Sequence, residues 1–296
     1  MRIIYALMLL GVTLLAACAT VPQSAPTPEE PRSLASSVAQ PAETPTPQEA
    51  EPTLEGKSLV DSNQTETENS LLPEVAWESS PETQIVSATH CCGFVPEEVM
   101  INYIPEAQVF GDGRIIWTQI SEDGQRSVLE GTLSTQQIED LLQQAVDYGF
   151  FGWEELYTSP LSPSDLPSQC LFIRLADLSR RVCEYYEGAP EEFHQLYETL
   201  KSGAGASSTE YVPEKGYVVA RTVPTPDWTV PAWDAGTLGF SLSQASEGAW
   251  IDGEALEAAW SLVNQNPGGG VVQEGDAYYQ ITLQIPGVSM EQPPAP

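Results

Sequence analysis

Positive charge is scarce in this chain. Eleven Lys and Arg face 42 Asp and Glu over 296 residues, a formal charge of −31, and there are only two histidines. Nucleic-acid binding needs clustered cations that displace phosphate counterions, so a nucleic-acid partner is excluded, and anionic lipid headgroups are disfavoured for the same reason. Also missing are a Gly-x-Ser-x-Gly elbow, a His-Glu-x-x-His pair and an EF-hand loop. Two histidines leave little from which to build a catalytic triad. The apolar run Ile3 to Ala17 falls short of the roughly 20 residues that a spanning helix requires.

That run has another use. In MRIIYALMLLGVTLLAACAT, Arg2 precedes the apolar stretch and Cys18 follows it directly, the layout of a targeting segment covering residues 1–17. Leu15-Ala16-Ala17-Cys18 resembles the lipobox of bacterial lipoproteins. The resemblance implies cleavage before Cys18, acylation of that cysteine with palmitate-type chains, export, and anchoring to a membrane. One acyl chain binds marginally, at about 0.8 kcal/mol per buried methylene, whereas the two or three chains of such lipoproteins hold permanently. Ala19 lacks the aspartate that marks inner-membrane retention in the family. The expected location is therefore the outer membrane of a two-membrane cell, or otherwise the outer face of the cell membrane.

From Ala19 to Gln84 the composition changes to ten prolines, twelve acids and two bases, with Trp77 the sole aromatic. Such a segment buries too little apolar area to offset chain entropy, so residues 18–84 are expected to form a lipidated, disordered tether. A flexible coil of this length spans about 45 Å, and proline stiffness and charge repulsion lengthen it. LLPEVAW, residues 71–77, is the one stretch with enough apolar side chains to dock on the body.

The remaining residues carry −22 of the charge. Solvated acidic faces account for it as self-repulsion and solubility; a cationic partner or divalent ions are the sharper alternative. The pattern is α+β: an antiparallel meander and hairpins packed against a few helices. VMINYIPEAQVF, RIIWTQI and RSVLEGTL read as three strands, joined at Asp112-Gly113 and Asp123-Gly124, where hairpins want positive φ. LSTQQIEDLLQQAVDYGFF follows as a helix. Ser134 and Gln137 form a capping box, Leu133 staples onto Ile138, and Ile138, Leu141, Leu142, Ala145 and Val146 face a core. CLFIRLADLSRRVCEYY reads as a hairpin turning at Ala176-Asp177, with Cys170 opposite Cys183. Pro190 opens a further helix with Phe193, Leu196, Tyr197 and Leu200 inward and His194 outward.

SGAGASST, residues 202–209, either separates an α+β domain at 85–203 from a second unit at 210–296 or links layers of one domain. Beyond it lie a strand-like YVPEKGYVVARTV, a proline-aromatic loop, a helix capped by Asp252 with Ile251 meeting Leu256, and DAYYQITLQI alternating as a strand with one wet face. FVPE at 94–97 and YVPE at 211–214 raise the idea of a duplicated unit. The strand, Asp-Gly turn, strand, capped helix and GFF layout over residues 94–151 is similar to exported bacterial lipoproteins that bring no assigned activity with them.

With Cys18 assigned to lipid, Cys91, Cys92, Cys170 and Cys183 remain. An even count in an oxidising compartment favours disulfides. Either Cys91 and Cys92 reach Cys170 and Cys183, clasping THCCG to the hairpin, or Cys170 closes to Cys183 across the strands. A metal site built on His90, Cys91 and Cys92 lacks the usual Cys-x₂₋₄-Cys spacing, and a redox centre would show Cys-x-x-Cys. No cofactor and no metal is expected.

Three functions are in play. The first is a non-enzymatic, membrane-anchored body that binds an envelope protein or glycan, using the aromatics Tyr217, Trp228, Trp233, Trp250, Tyr278 and Tyr279; the alternative is that Trp228 and Trp233 plug their loop into the core. The second is a secreted hydrolase built on two of the carboxylates Glu97, Asp112 and Glu254. The third is a calcium-binding module. Mass spectrometry of natively produced protein is expected to find residues 1–17 removed and a fatty adduct on Cys18, and a Cys18→Ser variant to lose both the adduct and membrane association.

Overall fold

A computed structural model describes residues 73–296 apart from Cys92 and Ser162, and the described residues lie in one compact unit. Cys18, the residues 1–17 expected to form a targeting segment and residues 18–72 of the expected tether are outside them. In chain order the strands are β1 Gln84–Cys91, β2 Ala107–Phe110, β3 Arg114–Ile120, β4 Arg126–Thr132, β5 Leu156–Thr158, β6 Ser168–Arg174, β7 Ser179–Tyr185, β8 Thr209–Glu210, β9 Gly216–Val223, β10 Ala249–Ile251, β11 Gly270–Glu274 and β12 Ala277–Gln284. The helices are α1 Glu97–Ile101, α2 Thr135–Asp147, α3 Glu191–Lys201, α4 Ala235–Leu238 and α5 Gly253–Gln265. The fold is α+β.

Two sheets form. The larger has the order β5-β7-β6-β1-β2-β3-β4-β8 and is antiparallel except where β5 meets β7; the smaller runs β10-β9-β12-β11. Alternation along β2–β4 shows how they are layered. Ala107, Val109, Ile115 and Trp117 join α2 and α3 in one core, while Phe110, Ile116 and Val128 point the other way into a second core with α5 and β9–β12. A strand buried on both faces needs a continuous apolar run, which is why RIIW in β3 does not alternate with polar residues. Residues from 85–203 and from 210–296 therefore share the second core.

Local signals in the sequence account for most elements. Ser134 accepts the Gln137 N–H while the Gln137 side chain accepts the Ser134 N–H, closing the capping box of α2. Ile138, Leu141, Leu142, Ala145 and Val146 are its buried stripe, as Phe193, Leu196, Tyr197 and Leu200 are that of α3. Gly113 and Gly124 sit at φ +92° and +82° in the two hairpin turns, a conformation open to glycine at little cost.

Four expectations need correction. The first meander strand is shorter than VMINYIPEAQVF: Pro96 precedes a helical turn, α1, with Glu97 and Glu98 at its positive end, and the strand begins only at Ala107. FVPE thus leads into a helix whereas YVPE joins β8 to β9, so the two are not copies of one unit. Asp252 stands at the start of α5 but makes no side-chain capping bond. Finally, residues 73–83, assigned to the tether by composition, run along the body, with the docking anticipated for LLPEVAW seen at Val75 and Trp77. Val75 and Trp77 pack on the first core, the Trp77 indole N–H donates to the Gly111 carbonyl at 3.0 Å, and the Ala176 N–H donates to the Ala76 carbonyl at 2.7 Å.

The small-residue connector links layers. Gly203, at φ +85°, lies so close to the Trp117 indole that a Cβ there would come within 2.8 Å of the ring, and Ala204 and Ala206 pack on the first core. In urea denaturation, Leu142→Ala is expected to cost about 2–5 kcal/mol because it opens a cavity at a fully buried site. Ser134→Ala, which removes one cap, is expected to cost about 1 kcal/mol; a reversed order would contradict these roles.

Candidate functional site

The two sheets meet at a seam of polar groups. Arg126 opens β4 on the same face as Val128, so its side chain runs inward beneath α5 and is only 8% exposed. Its Nε donates to Asn264 Oδ1 on α5 and its Nη1 donates to the carbonyl of Asn102, both at 2.7 Å. Asn102, the residue that ends α1, in turn accepts the Leu283 N–H through Oδ1 at 2.8 Å. That N–H lies where β11, whose pairing begins at Ile281, no longer covers the edge of β12. One buried arginine and one buried asparagine thereby tie the larger sheet, α1, α5 and the smaller sheet together. Burial pushes the guanidinium pKa down to about 10, because an isolated charge is costly out of water.

Above this seam lies a pocket of about 600 Å³. Its walls are the start of β4, the chain following β8 and the outer side of α5. Tyr211 and Trp260 meet edge to face with ring centroids 6.0 Å apart, and burial raises the Tyr211 hydroxyl pKa. Asp123, Glu210 and Glu257 stand exposed around the opening, and Ser261, Asn264 and Gln265 add hydrogen-bonding groups. Arg126 is the single cation in the lining. None of the described ion pairs involves it.

The residues expected to form a site fall elsewhere. Trp233 is 5% exposed and donates from its indole to the Phe240 carbonyl, plugging its loop into the second core, whereas Trp228 is exposed. Tyr217 and Trp250 face each other across β9 and β10, with Lys215 over the Trp250 ring. Tyr278 and Tyr279 alternate on β12, and Tyr279 packs on the second core. The six aromatics do not form one surface.

The three candidate carboxylates sit on separate elements. Glu97 is held by both terminal nitrogens of Arg221, at 2.9 and 3.1 Å. That hydrogen bonding lowers its pKa, the opposite of what a general acid requires. Asp112 accepts the Arg114 N–H within its turn, and Glu254 is exposed in the first turn of α5. Among the described residues no group of three or more His, Cys, Asp or Glu is placed to hold a metal ion.

The first three residues of THCCG end β1, where main-chain pairing joins them to β6. Thr89, His90 and Cys91 pair with Cys170, Gln169 and Ser168 of β6. Cys170 and Cys183 are bonded to each other across β6 and β7, so the pairing of both with Cys91 and Cys92 is overturned. Closure across the strands follows from register: the hairpin turns at Ala176-Asp177, which sets the two thiols directly opposite. Cys91 is also in a disulfide, with neither Cys170 nor Cys183, and Cys92 lies outside the described residues. His90 is turned toward Glu106, with Nδ1 3.9 Å from its carboxylate, and His194 toward the buried Glu184 at 3.7 Å.

Residues 85–203 match a family described as a domain of unknown function (DUF6438). No curated protein and no solved structure matches the chain. The matched stretch contains β4 and Arg126 but stops short of Tyr211 and α5, so the pocket is completed by chain beyond it.

Asn102→Ala removes the acceptor for Leu283 and is expected to cost about 1–3 kcal/mol, the penalty of an unsatisfied buried donor. Hydrogen exchange is the direct check, with protection at Leu283 expected to fall selectively; unchanged protection there would refute the seam's role.

Proposed function

We propose that this chain is a lipid-anchored protein of the bacterial envelope, held through Cys18 on the outer side of a membrane, whose body binds an envelope protein or glycan without covalent chemistry. The observation that carries this reading is the pocket over the seam. It combines an aromatic pair, amide and hydroxyl groups and one buried cation, the mixture of apolar body and convergent polar groups typical of ligand sites. The lipobox and the proline-rich stretch support the location, and no described helix is long and apolar enough to cross a membrane.

Trp260 supplies the largest apolar face in the pocket. Co-sedimentation of the full-length protein with isolated cell-wall glycan, and enrichment of envelope proteins on it, are expected to fall about 30-fold in Trp260→Ala, the scale of losing one interface anchor of about 2 kcal/mol. The absence of enrichment from both fractions, or enrichment indifferent to Trp260, would refute this function.

A further inference from the structure

The edge of β4 is covered as far as Val128 and loses its hydrogen-bonded partner at Arg126. Tyr211 donates to the Val128 carbonyl, and Leu129 and Glu130 pair with Glu210 and Thr209 of β8. Successive main-chain groups along a strand alternate between its two sides. The N–H and C=O of Arg126 therefore face the same side as those of Val128. The register partner there is Pro213, which has no N–H to offer, and no bond joins it to Arg126. Beside that edge sits Arg126, whose Nε and Nη1 are engaged while Nη2 makes no hydrogen bond with any described residue. The charge is nine-tenths buried and unpaired, and the nearby acids Asp123, Glu210 and Glu257 remain at the exposed opening.

We infer, on the reading of the pocket as a binding site, that it takes an extended basic peptide. The peptide bonds its main chain to the N–H and C=O of Arg126, seats its free C-terminal carboxylate on the Arg126 guanidinium and directs its cationic side chains to Asp123, Glu210 and Glu257. Strand addition gives a sequence-independent set of main-chain bonds. A carboxylate accepting from Nη2 gives the charge-assisted contact that fixes the end. The excess of acids over the whole chain steers a basic partner toward the body and repels an acidic one. Trp260 and Tyr211 offer faces for the stems and cations of lysine or arginine side chains.

Fluorescence anisotropy with the full-length protein tests this. The probe is a labelled five-residue peptide alternating lysine and valine and ending in alanine with a free carboxylate, compared with the same peptide amidated and with a version carrying glutamate for lysine. The free acid is expected to bind, and amidation to weaken it at least about tenfold, the loss of one charge-assisted bond. The glutamate version is expected to weaken by a similar factor. Arg126→Lys keeps the charge but not the Nη2 donor in its place, and is expected to narrow the difference between acid and amide. Equal binding of acid and amide by the unmodified protein, or no binding up to millimolar peptide, overturns the inference without any need for a folded variant. If the peptides fail while Trp260-dependent binding of envelope material persists, this inference alone falls. If both vanish, the binding function falls with it.

Discussion

The architecture depends on a cation placed where a cation is expensive. Arg126 lies under α5 without a carboxylate partner, and what makes its burial tolerable is the fixed set of acceptors supplied by Asn264 and the Asn102 carbonyl. Neutral amides do less for a guanidinium than a carboxylate would. They do not, however, leave a second charge to be satisfied when the contact is strained or solvated. Through Asn102 the same network reaches the uncovered end of β12, so the orientation of one sheet on the other is specified by directional bonds. The apolar contacts of Phe110, Ile116 and Val128 supply the greater part of the attraction, yet they would accept many relative positions.

Much of this fold could be read from local chemistry. The capping box of α2, the two Asp-Gly turns and the inward stripes of α2 and α3 rely on neighbours within four residues, and the structure contains all of them. The cross-strand position of Cys170 and Cys183 was legible too, because a two-residue turn leaves a single register. What was not legible depends on contacts between distant segments. Residues 73–83 have the composition of a tether, but Trp77 finds Gly111, and nothing in the composition announces that partner.

The site was read poorly for a related reason. Exposed aromatics in a proline-rich loop attract notice, whereas the pocket uses Tyr211 and Trp260 from segments that look like an ordinary strand end and an ordinary amphipathic helix. One signal was available. Arg126 shares the inward parity of Val128 on β4 in a chain with only eleven cations, so the alternation of the strand alone points a charge into a core. Its partners could not, since Asn102 and Asn264 are separated from it by 24 and 138 residues.

The docking of residues 73–83 has a mechanical consequence. Tension arriving from the N-terminal side meets the Ala76–Ala176 bond and the Trp77–Gly111 bond before it reaches β1. That strand lies between β2 and β6, antiparallel to both, so a pull along its length loads two rows of hydrogen bonds in shear. Bonds sheared together share the force, whereas those at a peeled edge break one by one. The chain thus enters the body through a yielding clip followed by a strand placed to hold.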